Sequence, residues 1–465
     1  MSVLWTLNDI AAAVGAQATH DAPVRGVSID TRTIKEGELF VALKDVRDGH
    51  DFVPDALARG AAAALVSRDV AVVDRSRLIK VPDTLKALEA LGRRRRAQAH
   101  ARVSAVTGSV GKTSTKEALR HLLSLQGATH ASVASYNNLW GVPLSLARMP
   151  LGSDFGIFEI GMNHAGEITP LTAQVRPHVA IVTTVAAVHL EHFDSVAAIA
   201  DAKGEIFSGL EAGGVAVING DIEWASRLRA HAEKAKPSRI IAFGRAESCD
   251  VRLIDARFGE DGSDLDVSFF GKALRYRIGA PGEHWALNSL GVLAVIAMLG
   301  GDIERAAADM TGLNALAGRG ARQRIAGARG AFELVDESYN ANPLSMAAAI
   351  ANLGRAVPGP GGRRIAVLGD MLELGPTGGE LHASLATSLA EHRIDLVYAS
   401  GPLMHHLWSA IAREQRGRYA SASSELAKAV ADDVRAGDIV MVKGSYGSKM
   451  GLVVEALRRL SPEKH

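Results

Sequence analysis

The residues best suited to chemistry gather in one stretch, Val103 to Leu123, which reads VSAVTGSVGKTSTKEALRHLL. Within it Gly108, Gly111, Lys112 and Thr113 are spaced as G-x-x-G-K-T. Glycines let the backbone approach a ligand closely, and loop N–H groups at a helix start point at an anion. A lysine there reaches terminal phosphate oxygens as a point charge, and the threonine hydroxyl suits Mg²⁺. The longer template would place glycine at 106, where this chain has Val106. The elements that must hold these residues are legible too. A β-branched run ends at Thr107, a loop crosses Gly108, Ser109, Val110 and Gly111, and a helix opens with Lys112, Thr113 and Ser114. Its apolar residues Ala118, Leu119, Leu122 and Leu123 fall at helical spacing. A chance Gly-Lys-Thr at the head of an ordinary helix is the alternative, and the strand before it argues against that.

Three further groups are placed to meet this loop. Glu159 ends the apolar run FGIFEI, where a carboxylate is costly unless paired or metal-bound. His189 follows the strand pattern of Val179 to Val185, and strand ends on the carboxyl edge of a parallel sheet are where such folds bind ligands. His189-x-x-His192 could suggest zinc, but no third soft ligand is nearby, and hard Mg²⁺ with ATP phosphates fits better. Lys203, in DAKGEIF, has acidic neighbours and reads by itself as part of a solvated helix face.

The 465 residues suggest about three domains. Lys and Arg total 52 against 51 Asp and Glu, so net charge makes no case for nucleic acid or an acidic membrane surface. The single cysteine, Cys249, excludes an intrachain disulfide and a thiolate-rich metal site. No apolar stretch reaches the roughly 18 residues a membrane span needs, and no basic segment precedes the apolar start of the chain. A soluble, cytoplasmic protein is expected.

An α/β architecture in three units is predicted: 1–82, 83–312 and 313–465. The first carries short strands and helices. Its cluster Ser28, Asp30, Thr31 and Arg32 could hold a phosphate or a uracil edge, or be a solvated turn. The helix that follows bears Arg93 to Arg96, which spread around a helix and read as a solvated linker. In the second unit Asn137 and Asn138 lie in a polar loop, residues 250–280 alternate as an antiparallel meander, and Asn288 sits on the first turns of a helix. In the third, a strand ends at Asp336-Glu337-Ser338-Tyr339-Asn340-Ala341-Asn342, another delivers Asp370 and Glu373, and a third delivers Lys443 and Ser445. Strands alternating with helices indicate a second doubly wound sheet.

The segments TGSVGKTSTK, FEIGMNHAGEI, AAVHLEHF, AKGEIFSGL, AGRGARQ, DESYNANPLSM, LGDMLELG and VKGS, in this order over nearly the whole chain, resemble the Mur ligases of peptidoglycan synthesis. DESYNANP and GDMLELG are most similar to the member that joins D-alanyl-D-alanine to UDP-MurNAc-tripeptide. The resemblance implies an N-terminal UDP-sugar domain, a central P-loop ATPase and a C-terminal Rossmann-like domain. It implies ATP-dependent amide formation through an acyl phosphate in cell-wall precursor synthesis, with UDP-MurNAc-tripeptide and D-Ala-D-Ala as partners and a monomer expected. By the same resemblance Thr113 and Glu159 would hold one Mg²⁺ and His189 a second, while Lys203 would carry a CO₂-derived carbamate that acts as a metal ligand. Lys112, Lys203 and His189 become the catalytic set. Residues 107–114, Asn288, Arg319, Asp336 and Asn340 would contact ATP. Ser28, Asp30, Thr31 and Arg32 match the UDP segment. Asn137, Asn138, Tyr339, Asn342, Asp370, Glu373, Lys443 and Ser445 are candidates for the remaining substrate contacts.

The chain departs from the family pattern at three places: His284-Trp285 where the family has His-Asn, His192 where a small residue is common, and Tyr446 where an arginine is frequent, so that Lys449 becomes a candidate anion contact. Two other functions stay open, a sister ligase taking another amine and a nucleotide-binding scaffold without turnover. The intact Lys112, Glu159, His189 and Lys203 argue against the scaffold.

Overall fold

The structure, a computed structural model, describes residues 3–133, 136–188, 190–259 and 261–461. His189 therefore lies outside the described residues. Three large sheets organise the described residues, beside a two-stranded pairing of Trp5–Thr6 with Pro23–Val24. The strands Gly26–Ser28, Glu38–Val41, Ala63–Val66 and Leu78–Lys80 form an all-parallel four-stranded sheet. The first two are joined by the polar segment 29–37 yet run parallel, so that segment returns the chain to the sheet's starting edge instead of closing a hairpin. The helix Leu7–Val14 is opened by a Thr6–Asp9 capping box and closed by Gly15 in the left-handed region.

Nine strands make the central sheet. Its parallel part runs from Thr129–Ala131 through Phe155–Glu159, Arg102–Thr107, Val179–Val182, Val215–Asn219 and Arg239–Gly244 to Val251–Gly259. Gly262–Phe269 and Lys272–Ile278 extend it as the expected antiparallel meander. The helices Lys112–Ser124 and Glu283–Met298 pack on one face; Gly141–Ala147, Ile168–Val175, Val196–Gly204 and Ala225–Lys234 cover the other. Both faces are thus buried, which is why these strands read as continuous apolar runs.

The third sheet has six strands in the order Ala321–Gly327, Gly330–Glu337, Ile439–Lys443, Arg364–Gly369, Leu396–Ser400 and Arg416–Ala420. Only its first pair is antiparallel. Among the described residues no helix is long and apolar enough to cross a membrane.

The first unit is joined to the second by a shared core, in which Leu144 and Ala147 of the central unit pack among Trp5, Leu7, Ile10, Leu88 and Leu91. Here the reading of Arg93–Arg96 as a solvated linker holds for the exposed Arg93 and Arg94 but needs correction for Arg95 and Arg96. Arg95 and Arg96 are only 2% and 4% exposed. The Arg95 guanidinium lies 3.9 Å from the centre of a Trp5 ring and donates to the Leu4 carbonyl. Arg96 donates to the Val175 and Arg176 carbonyls at 2.7 and 2.6 Å. Both long side chains bury their stems, and Arg96 places its charge where carbonyls stand unpaired at the end of the helix Ile168–Val175. Their burial follows from the helix Thr84–Gln98 packing between two units, contacting Leu7–Val14 as well as Gly141–Ala147.

Candidate active site

The phosphate loop is built as its sequence demands. Gly111 has φ +88° and caps the helix Lys112–Ser124, and a Cβ on it would meet the Asn288 amide at 2.8 Å. A side chain there would be strained and would also displace Asn288, so only glycine fits. The loop is braced from the neighbouring strand end. Thr183 Oγ1 donates to the Val110 carbonyl at 2.6 Å, Ser109 N–H donates to Thr184, and Ser109 Oγ exchanges hydrogen bonds with the Ala186 backbone. Ser109 therefore fixes the loop with its hydroxyl and keeps only its position near the anion site.

Adjacent strands bring Glu159 beside the loop, since Val106 pairs with Glu159 across the sheet. Glu159 is 1% exposed. One of its oxygens accepts from Thr113 Oγ1 at 2.9 Å and the other from Asn137 Nδ2 at 2.8 Å. Lys112 Nζ stands 2.6 Å from the Gly108 carbonyl. Burial lowers the Lys112 pKa, the Glu159 charge raises it again, and Arg319 from the third unit lowers it. Arg319 is thus close enough to the loop for its charge to be felt.

Lys203 ends the helix Val196–Gly204 and is 2% exposed, with no hydrogen-bond or ion-pair partner among the described residues. Burial pushes its pKa well below the ordinary lysine value, and the Lys112 charge pushes in the same direction. Both effects disfavour the charged form of this amine. It is not on a solvated face.

The other units reach the same edge. The Ser28–Arg32 turn leaves the first strand of the N-terminal sheet, and Asp30 holds the Arg32 side chain through contacts of 2.9 Å at Nε and 2.6 Å at Nη2. This guanidinium holds the Asp30 carboxyl below its usual range. Ser28 Oγ donates to the Asp30 carbonyl, and Arg32 is 79% exposed. Arg148 bridges this turn to the centre. It donates to the Val27 carbonyl at 2.6 Å, and its guanidinium lies 5.9 Å from the ring of Tyr136, the residue before Asn137.

From the third unit, Arg319 lies 4.2 Å from the Tyr339 ring and lines a cleft between the second and third units with Pro281, His284, Trp285, Glu337, Asn352 and Met441. Several expected ligands have partners within the chain. Asp336 is on the opposite strand face from the cleft and binds Ser338 and Arg458, the latter at 3.1 Å. Glu337 is the carboxylate that faces the cleft, paired with Lys443 at 3.2 Å. Strand alternation decides this, because Val335 and Glu337 share one face while Asp336 packs toward the helix Gly451–Arg458.

Three other expected contacts hold helix starts. Asn138 Oδ1 accepts from Trp140 and Gly141 N–H, Asn342 caps the helix Pro343–Arg355, and buried Asp370 accepts from Leu403 and Met404 N–H. Asn340 folds its carbonyl onto Ala341 N–H, and its backbone oxygen takes the second hydrogen bond of Lys443. Ser445 Oγ donates to Ala341 and accepts from Leu372, tying two loops together. Glu373 adopts φ +61°, and its carbonyl faces Glu191 N–H of the central unit at 3.4 Å. Thr31 is half-buried within its turn and Tyr339 also approaches Tyr446, with ring centres 6.1 Å apart.

The donors present fit a hard divalent cation. Thr113 and Glu159 offer oxygens, and Lys203 would offer two more as a carbamate. No group of three or more His, Cys, Asp or Glu side chains arranged for a metal occurs among the described residues. An unmodified Lys203 cannot serve as a ligand while protonated. The arrangement suits transfer between anionic oxygens: a lysine aimed at phosphate, an oxygen-rich pocket beside it, and flanking units that each present an anchoring group.

Comparison with known proteins agrees. Residues 23–96 match the Mur ligase family catalytic domain model, 106–296 the Mur ligase middle domain and 321–446 the Mur ligase glutamate ligase domain. The UDP-N-acetylmuramoyl-tripeptide–D-alanyl-D-alanine ligase of Rickettsia prowazekii is 31% identical over 97% of this chain and 99% of its own length. The crystal structure of MurF from Acinetobacter baumannii superimposes with a TM-score of 0.85 at 27% identity, covering 98% of this chain and 99% of that one. MurF from Thermotoga maritima, solved in complex with ADP, gives 0.78 at 28% identity, covering 94% and 98%. The chain therefore belongs to the Mur ligase family.

Proposed function

We propose that this chain is an ATP-dependent amide ligase that joins D-Ala-D-Ala to UDP-MurNAc-tripeptide, forming ADP and phosphate in the cytoplasm. The observation that carries the reading is Lys112 on its glycine loop beside the buried Thr113–Glu159–Asn137 hydrogen-bonded set, with Arg319 of the third unit lining the facing cleft. The relatives that cover almost the whole chain carry this activity in their names.

A carboxylate cannot acylate an amine at neutral pH without a leaving group. The terminal carboxylate of the tripeptide attacks the γ-phosphorus, the bond to the bridging oxygen breaks, and ADP leaves. The dipeptide amine then attacks the acyl carbon, loses a proton, and expels inorganic phosphate. Two anions must meet in the first step, so catalysis is largely charge neutralisation and positioning. Lys112 exchanges the Gly108 carbonyl for phosphate oxygens, and the loop N–H groups of 108–114 cradle the chain of phosphates. Arg319 adds a second positive charge from the third unit. Asn288, held against Gly111, lines the nucleotide side, and Glu337 is the carboxylate in reach of a ribose or amine at the cleft. Arg32, on the Ser28–Arg32 turn, is exposed to take the UDP phosphates, with Tyr136 and Asn137 leading from that turn to Glu159.

Thr113, Glu159 and carbamylated Lys203 would hold Mg²⁺, and His189 a second ion; the metal would screen the charge between attacking carboxylate and phosphate. Burial, which disfavours the Lys203 ammonium, favours the carbamate. The lysine lone pair forms an N–C bond to CO₂, a C=O pair moves to oxygen, and one proton leaves.

Incubation with ATP, D-Ala-D-Ala and UDP-MurNAc-tripeptides ending in lysine or diaminopimelate tests this by mass spectrometry. The reading expects a UDP-MurNAc-pentapeptide from at least one tripeptide. ADP without pentapeptide, or neither, would refute it.

A further inference from the structure

The helix that presents Lys203 is held from behind by an ionic clamp. Asp201 and Lys203 are two residues apart, about 200° around a helix, so they face opposite sides. Lys203 points into the protein, while Asp201 meets the helix Ala225–Lys234. There Arg227 grips it through Nε and Nη2, both at 2.6 Å, and His231 Nε2 approaches at 2.8 Å. A second contact fixes the same end of the helix. Gly204, the residue after Lys203, lies so close to His231 that a Cβ would stand 2.6 Å from the ring Cγ. The next residue, Glu205, accepts from Gly166 N–H at 2.7 Å and from Thr169 N–H at 3.0 Å, anchoring the loop that follows Glu159. Residues on both sides of Lys203 are therefore pinned to different elements, while the lysine itself makes no hydrogen bond or ion pair among the described residues that would set its direction.

We propose that Asp201, Arg227 and His231 are positioning residues that fix the rotation of this helix so that a carbamate on Lys203 forms where its oxygens face Thr113 and Glu159. This rests on the carbamate reading given above. The clamp is part-exposed, with Asp201 at 38% and Arg227 at 47%, so it adds little to global stability. Its effect falls on where the lysine points.

The test is ¹³C NMR of the full chain with Mg²⁺, titrated with ¹³C-bicarbonate, following the carbamate carbon that disappears in Lys203→Ala. Asp201→Asn keeps the shape but loses the ionic grip. It should raise the bicarbonate concentration for half-occupancy about tenfold, the scale of one charge-assisted hydrogen bond, with a melting temperature close to the parent's. His231→Ala retains the Asp201–Arg227 pair, opens space beside Gly204 and should give a smaller shift in the same direction. Asp201→Glu, which can still reach Arg227, should recover most of the loss. Unchanged midpoints in folded Asp201→Asn and His231→Ala would overturn the clamp while leaving the carbamate standing. No Lys203-dependent signal in the parent chain would overturn both.

Discussion

Replacing Glu159 with glutamine separates what this residue does for the fold from what it does for chemistry. The side chain is buried and accepts two hydrogen bonds, from Thr113 Oγ1 and Asn137 Nδ2. Glutamine keeps one carbonyl for Asn137, and the Thr113 hydroxyl can rotate to accept from the new amide. Stability should therefore fall by only about 1 kcal/mol, whereas Glu159→Ala, which strands both donors, should cost about 2–5 kcal/mol. Chemistry responds differently. The amide carries no charge to hold Mg²⁺ against Thr113, and the Mg²⁺ concentration for half-maximal rate should rise about 10–100-fold or more. A second signature follows from Lys112. Burial and Arg319 already lower its pKa, and Glu159 is the group opposing them. Lys112 acts as a cation, so activity is lost as pH rises through its pKa. Without the Glu159 charge that pKa falls further, and the alkaline limb of the rate profile should move to lower pH. The assay is phosphate release over Mg²⁺ and pH, with circular-dichroism melts alongside. A well-folded Glu159→Gln enzyme with parental Mg²⁺ dependence and an unmoved alkaline limb would refute the reasoning.

Other perturbations distinguish ligands from supports. Glu337→Gln should raise the KM for ATP or for the dipeptide about tenfold at little cost in stability, while Asp336→Asn should lower urea stability by about 1–3 kcal/mol and leave both KM values within about twofold; the reverse pattern would restore Asp336 to the cleft. Arg95→Ala removes the Trp5 stacking and the donor to Leu4, and should cost about 2–4 kcal/mol in urea unfolding, with early exposure of Trp5 seen by fluorescence. Arg319→Ala should lower kcat more than it raises any KM, because its charge is felt at Lys112 when phosphate transfers; equal loss of binding for all three substrates would contradict this.

Much of the site could be read from residue type at strand ends. Gly111, Lys112, Thr113 and Glu159 stand where polar groups interrupt apolar runs, and the parallel sheet brings those ends together. Other features depended on facts that no local pattern contains. Asp336 and Glu337 are adjacent carboxylates, and which one meets the cleft is set by pairing with Val442 and Lys443 on a strand more than a hundred residues away. Asn138, Asn342 and Asp370 are short polar residues placed just before helices or against a helix start. That pattern is shared by ligands and helix caps, and only the hydrogen-bond partners separate them. Arg95 and Arg96 looked solvated because a helix wheel shows one partner at most, whereas their helix is gripped on two sides. Lys203 shows the opposite case, since its acidic neighbours Asp201 and Glu205 bind other elements and leave it buried alone. The antiparallel strand Ala321–Gly327 was missed because its residues, ARQRIAG, carry charges on an edge strand instead of an apolar run.

The most direct test of the proposed activity is phosphate release from ATP in the presence of UDP-MurNAc-tripeptide, comparing D-Ala-D-Ala with diaminopimelate, lysine and no amine. The account predicts turnover with the dipeptide alone. Turnover driven by another amine would place the same machinery on a different substrate, and ATP binding without phosphate release under any condition would contradict the ligase.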